Sequence, residues 1–278
     1  MTGVASLAVL LSACGSGQAA PESGGVADPT TSPRATSSGS GAPSTSTSPV
    51  LQLDFDGELG APVTDLETSG PARVTAEVVT TGDATAVTTR GTDGGGLELP
   101  AFAEGRADFA VVRVVPEQDD TSLDPGTRSF ALGADVRLDA VTSGASTDNG
   151  DNVLQRGLFD GGGQFKLQVD HGRVSCRVAG TDGELVVALD RPVAAEQWHR
   201  VLCTRDGDQL ELVVTALGSD GAGQPLTAAA SGPIGSVDLA PGTPLSVGGK
   251  LGADGAIVTS SSDQLNGRVD RVVVAMAG

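Results

Sequence analysis

Apolar residues recur at every second position in short runs from Val50 to the C-terminus. "VLQLDF" (50–55), "ARVTAEVV" (72–79), "DFAVVRVV" (108–115), "SFALGADVRL" (129–138) and "QFKLQVD" (164–170) read as strands. So do "RVSCRVAG" (173–180), "HRVLCTR" (199–205), "QLELVVTAL" (209–217) and "GRVDRVVVAM" (267–276). The alternation is cleanest at Phe165, Leu167 and Val169 and at Val174, Cys176 and Val178. Side chains of a strand alternate between its two faces, so this pattern predicts strands with one face in a core. Gly, Asp, Pro and Asn separate the runs and supply turns. "TRDGDQLELVV" predicts a hairpin. No stretch sustains a 3.6-residue apolar period. The pattern predicts an all-β chain over 50–278, a jelly-roll β-sandwich of two antiparallel sheets.

The first 49 residues have another texture. "VASLAVLLSAC" (4–14) is an apolar run too short to span a bilayer. It reads as a secretory signal core. Leu11-Ser12-Ala13-Cys14 resembles the lipobox of bacterial lipoproteins. That resemblance implies a signal peptide over 1–13, a lipid on Cys14 and an exported protein anchored at the outer face of the cell membrane. Residues 1–13 contain no Lys or Arg, which departs from the pattern and leaves an ordinary cleaved signal as the alternative. In residues 15–49, 25 of 35 are Gly, Pro, Ser or Thr, too polar and small to bury a core. With Cys14 they predict a disordered linker, 14–49, with a reach of about 30–35 Å.

The formal charge is −18, from 35 acidic and 17 basic residues, of which only Lys166 and Lys250 are lysines. Such a surface repels phosphate backbones, so no nucleic-acid partner is expected. The chain has six Phe, one Trp and no Tyr, few aromatics for a strong sugar platform. Phe102, in "LPAFAEG", is the aromatic that this reading leaves at the surface.

Four segments in order carry a further resemblance: "SFALGADVRLDA" (129–140), "VLQRGLFDGGGQFKLQVDHGRVSCRVAG" (153–180), "EQWHRVLCTRDGDQLELVV" (196–214) and "PLSVGGKLG…DQLNGRVDRVVV" (244–274). Together they resemble a laminin-G-like domain of the concanavalin A-like lectin/glucanase superfamily. The resemblance implies a jelly roll and non-catalytic binding of a glycan or protein at the cell surface, by a monomer. A glycoside hydrolase of the same fold and a structural envelope domain are the alternatives. It places Trp198 as a core anchor at a strand start. It also implies a possible Ca²⁺ at a loop edge, and two segments offer hard oxygen ligands. One is "STDNGDN", with Asp148, Asn149, Asp151 and Asn152. The other combines Asp54 and Asp56 with Asp270. Ordinary turn chemistry explains the same residues.

Catalysis finds little support. His199 and Cys203 share one face of a strand about 13 Å apart, beyond the reach of a thiolate–imidazole pair. No Gly-x-Ser-x-Gly elbow, zinc pattern or glycosidase run of alternating acids is present. With Cys14 consumed by lipid, Cys176 and Cys203 remain, and an even pair in an exported domain predicts a disulfide. If they are neighbours across a sheet, the bridge closes a loop of 27 residues. It then stabilises by roughly 3 kcal/mol.

Overall fold

The computed structural model describes residues 46–105, 107–140, 149–219 and 221–278. Cys14 and Asp148 lie outside them. Among the described residues there is no helix. In chain order the strands are β1 (Thr47–Leu53), β2 (Thr68–Ser69), β3 (Val74–Thr80), β4 (Val87–Arg90), β5 (Gly95–Glu98), β6 (Ala110–Pro116), β7 (Phe130–Leu138), β8 (Asp151–Arg156) and β9 (Gln164–Asp170). They continue with β10 (Arg173–Gly180), β11 (Gly183–Ala188), β12 (Trp198–Asp206), β13 (Gln209–Gly218), β14 (Gly221–Ala222), β15 (Leu226–Ser231), β16 (Leu245–Val247) and β17 (Gly267–Ala277).

Two antiparallel sheets face each other. One runs β14-β13-β12-β7-β17-β1-β2, with β15 also on β13 and the β4–β5 hairpin attached to β17. The other runs β11-β10-β9-β8-β16-β6-β3. First and last strands pair, Leu51 with Val274 and Leu53 with Val272. β1 begins at Thr47, three residues inside the segment expected to be linker. Pro49 is tolerated there because the ladder slips beside it.

Alternation explains which residues fill the space between the sheets. On β9, Phe165, Leu167 and Val169 are buried, and Lys166 and Gln168 face outward. On β12, His199, Val201, Cys203 and Arg205 point inward. Phe130 of β7 meets Phe165 of β9 across the core, ring centres 5.5 Å apart. Burying a phenyl of this kind contributes roughly 2–3 kcal/mol. Cys176 of β10 and Cys203 of β12 form a disulfide, Cα atoms 6.3 Å apart. They are not neighbours within one sheet. The bridge passes through the core and ties the two sheets to each other.

Strand parity also corrects the reading of Trp198. Since His199 faces the core, Trp198 must face outward, and it is half-buried. The predicted hairpin forms, with Asp206 paired to Gln209 and Gly207 at φ 58°. Asp151 and Asn152, expected in a turn, open β8 and are fully buried.

Candidate functional site

The outer face of the seven-stranded sheet carries a polar row across six of its strands, ending at Val186 on the seventh. Glu77 of β3 is in register with Arg113 of β6. Arg113 pairs with Ser246 of β16, which pairs with Gln155 of β8. Gln155 pairs with Lys166 of β9, Lys166 with Arg177 of β10, and Arg177 with Val186 of β11. Cross-strand register brings these residues into one row; Gln155 and Ser246 are nearly fully buried within it.

Over the β8–β11 half of this row lies a groove of about 490 Å³. Its floor is Gln155, Gln164, Lys166, Gln168, Ser175 and Arg177, and Lys250 and Phe159 stand at its sides. An apolar pit of about 100 Å³ shares Gln155 and Leu158 with it. Phe159 is 77 % exposed. Its loop follows β8 and is held tightly: Gly157 sits at φ 82°, and a Cβ there would collide with the Gly163 carbonyl. Two floor amides fasten the loop. Gln155 and Gln164 both donate from Nε2 to the Gly157 carbonyl, at 2.8 and 3.1 Å.

Phe159 is fixed from one side only. The Arg177 guanidinium lies 4.6 Å from the ring centre. That guanidinium is itself held, donating to Glu184 from Nε and Nη2 and to Gln164 Oε1 from Nη1. A cation over one face leaves the opposite face open to a second stacking partner. Gln155 Oε1 accepts from Asn152 Nδ2 at 2.8 Å. An amide has two N–H donors and two acceptor lone pairs, so Gln155 and Gln164 each keep one N–H and one lone pair beyond these bonds. The floor is therefore preorganised and can still make hydrogen bonds. Lys166 Nζ lies 3.7 Å from Asp263 Oδ2. Burial pushes the Lys166 ammonium down to about 8, against the opposing pull of Asp263.

The outer face of the ten-stranded sheet holds a recess of about 620 Å³, with Asp54, Asp56, Asp93, Asp135, Arg200 and Arg271 on its walls. Asp54 and Asp56 share these walls, and Asp270 holds the adjoining turn through the Thr92 and Asp93 N–H groups. Asp270 stands directly opposite Asp135 on β17 and β7, and both are buried. Arg200 grips Asp135 through Nε–Oδ1 at 2.8 Å and Nη2–Oδ2 at 2.7 Å. That bidentate bond raises the Arg200 pKa, against its partial burial. The Thr92 hydroxyl reaches Asp135 Oδ2 at 2.6 Å and Asp270 Oδ2 at 2.9 Å. Asp270 Oδ2 also accepts from the Thr92 N–H at 2.7 Å, and Asp56 Oδ1 from the Gly95 N–H at 2.6 Å.

Asp56, Asp135 and Asp270 are engaged by protein donors. Among the described residues no group of three or more His, Cys, Asp or Glu is placed to hold a metal ion. In the other proposed segment, Asp151 Oδ1 accepts from the Asn266 N–H at 2.7 Å, Asn152 is held inside β8, and Asn149 is exposed. Hydrolysis needs a carboxyl free to meet the glycosidic oxygen. Asp135 and Asp270 are enclosed and engaged instead.

Cys203 is consumed by the disulfide, so His199 has no thiol partner; burial holds its imidazole below the usual range. Phe102 is half-buried, with its N–H on Asn266 Oδ1 at 2.8 Å. The exposed aromatic is Phe159, which the sequence reading passed over. The available signal was "GLFDGGG": a lone aromatic among turn residues has no core to enter.

Residues 149–276, just under half the chain, match the model of the laminin G domain family. Among solved structures, the crystal structure of HCR/D-Sa-GBL1/C is similar over 82 % of this chain and 48 % of that one, at 10 % identity and TM-score 0.51. The binding domain of Paraclostridial Mosquitocidal Protein 1 is similar over 80 % and 48 %, at 14 % identity and TM-score 0.47. The LG1-3 region of the laminin alpha2 chain is similar over 82 % and 31 %, at 10 % identity and TM-score 0.43. The first likeness establishes fold alone, and the other two carry no argument. The chain spans about half or less of the length of these structures. No curated protein matches it in sequence. The fold is thus a sandwich of two antiparallel sheets whose C-terminal half is similar to the laminin G domain family.

Proposed function

We propose that the protein is a non-catalytic binding module that receives a saccharide in the groove of its seven-stranded sheet. Phe159 carries the reading: a phenyl ring exposed on one face, pinned by Arg177 on the other, beside amides with hydrogen-bonding capacity to spare. A pyranose offers C–H groups on its face and hydroxyls at its edge, which suit a ring and planar amides respectively. The match of residues 149–276 to the laminin G domain family supports a binding role. We further propose that a lipid on Cys14 and the spacer over 15–49 present the module at the outer face of a cell membrane. The reading gives calcium no part in the groove.

The test is a glycan-array and cell-wall-polymer screen of the full chain carrying Cys14→Ser, with Ca²⁺ and with chelator. Saccharide binding that survives chelation and is lost in Phe159→Ala supports the reading. Binding lost with chelator, or indifferent to Phe159→Ala, contradicts it.

A further inference from the structure

The polar floor predicts a sugar and leaves its charge open. The lysines decide that question. The chain has only two lysines, and both stand at this groove. Their ammoniums converge on a single carboxylate oxygen: Lys250 Nζ is 3.0 Å and Lys166 Nζ 3.7 Å from Asp263 Oδ2. All three side chains are largely buried, at 15 % exposure for Lys166, 21 % for Lys250 and 12 % for Asp263. Lys250 also donates to Ser261 Oγ at 3.2 Å. Two ammoniums on one carboxylate leave an excess positive charge where water is scarce.

Asp160 also lines the groove, and among the described residues no ion pair joins it to either lysine. Arg177, the third cation, has its own carboxylate in Glu184. Buried charge is stable when paired, and a protein of charge −18 has no general need for an unbalanced cation here. The charged groups facing Lys166 are Asp263, Lys250 and Arg177. Burial is the main reason the ammonium is weakened; Asp263 opposes it, and Lys250 and Arg177 add repulsion. An incoming anion would reverse that imbalance.

We propose that the Lys166–Lys250 pair is the anion subsite of the groove, and that the ligand is a saccharide bearing a carboxylate or phosphate group. The inference rests on the groove reading. Its geometry is consistent with one sugar unit. Lys166 and Arg177 are register partners on adjacent strands, so their Cα atoms stand roughly 5 Å apart. A ring stacked on the outer face of Phe159 then brings an anionic substituent within reach of the lysines. A charge-assisted bond to a largely buried ammonium is stronger and more discriminating than a neutral one.

The experiment is calorimetric titration of the full chain carrying Cys14→Ser with three probes: a hexuronate oligomer, a sugar-phosphate oligomer and the neutral hexose oligomer of equal length. The expected result is roughly tenfold tighter binding of at least one acidic probe than of the neutral one. The arm that binds identifies the anion as carboxylate or phosphate. Lys250→Gln should abolish the preference, and Lys250→Arg should retain most of it. Circular dichroism confirms that the variants are folded, and the arginine variant keeps the test informative if glutamine destabilises. Equal affinity for acidic and neutral probes, or a preference untouched by Lys250→Gln, overturns the anion subsite and leaves the groove standing. Binding of all probes unaffected by Phe159→Ala, or no binding at all, overturns both.

Discussion

The two outer faces of the sandwich look alike in composition and differ in bookkeeping of charge. The recess on the ten-stranded sheet is crowded with carboxylates, yet Arg200, Thr92 and the Gly95 N–H answer them internally. The groove on the seven-stranded sheet has fewer charges, yet two lysines share one acid, and an aromatic ring is held open to solvent. The first arrangement is closed and stabilises the fold. The second leaves two lysines on one acid, which the proposed anionic ligand would balance. A count of acids points to the recess, whereas an account of which polar atoms already have partners points to the groove.

Removing the bridge between the sheets should have the largest effect on stability. Cys176→Ala/Cys203→Ala is expected to cost roughly 3 kcal/mol in denaturant unfolding, by the loop-closure argument. Because the bridge ties both sheets, it serves neither face alone. The faces separate at the next step. Phe159→Ala should weaken saccharide binding about tenfold, equivalent to about 1.4 kcal/mol, measured by titration. Its effect on unfolding should stay within about 0.5 kcal/mol, since the ring is exposed. Asp135→Asn should do the reverse. It is expected to cost about 1–2 kcal/mol in thermal or chemical unfolding, discounted because Arg200 is half-exposed, and to leave binding unchanged.

The smallest effect is a matter of pH. Lys166 titrates at about 8 in the fold against 10.5 for an ordinary lysine. Between those values the unfolded chain binds the extra proton, so this group makes stability rise with pH from about 8 to 10.5. Anion binding favours the ammonium and has the opposite sign, with affinity falling as pH climbs past about 8. Unfolding and titration series across pH 7–10 check both slopes, and Lys166→Gln should flatten them.

Much of the sandwich could be read in advance because alternation is a local signal. "QFKLQVD" and "HRVLCTR" state which face is buried in their own letters. Other strands lack that contrast. β15 is "LTAAAS", whose small residues give almost no amplitude, and β5 opens on two glycines. β8 begins with Asp151 and Asn152, which resemble a turn until Asn266 and Gln155 are seen to satisfy them. Trp198 was misplaced by one step of parity: chemistry favoured the indole in the core, and the strand put His199 there. The groove was hidden for a different reason. Gln155, Lys166 and Arg177 are separated by about ten residues each in sequence, and only hydrogen-bond register aligns them. Register across strands is a tertiary fact, which no single run records.

The most direct test of the account is an amide NMR titration of the isotopically labelled full chain, carrying Cys14→Ser, with the saccharide that emerges from the screen. The account predicts shifts concentrated at Gln155, Phe159, Gln164, Lys166, Arg177 and Lys250, with Asp135, Arg200 and the Thr92–Gly95 turn unmoved. Shifts centred on the recess, with the groove silent, would contradict it.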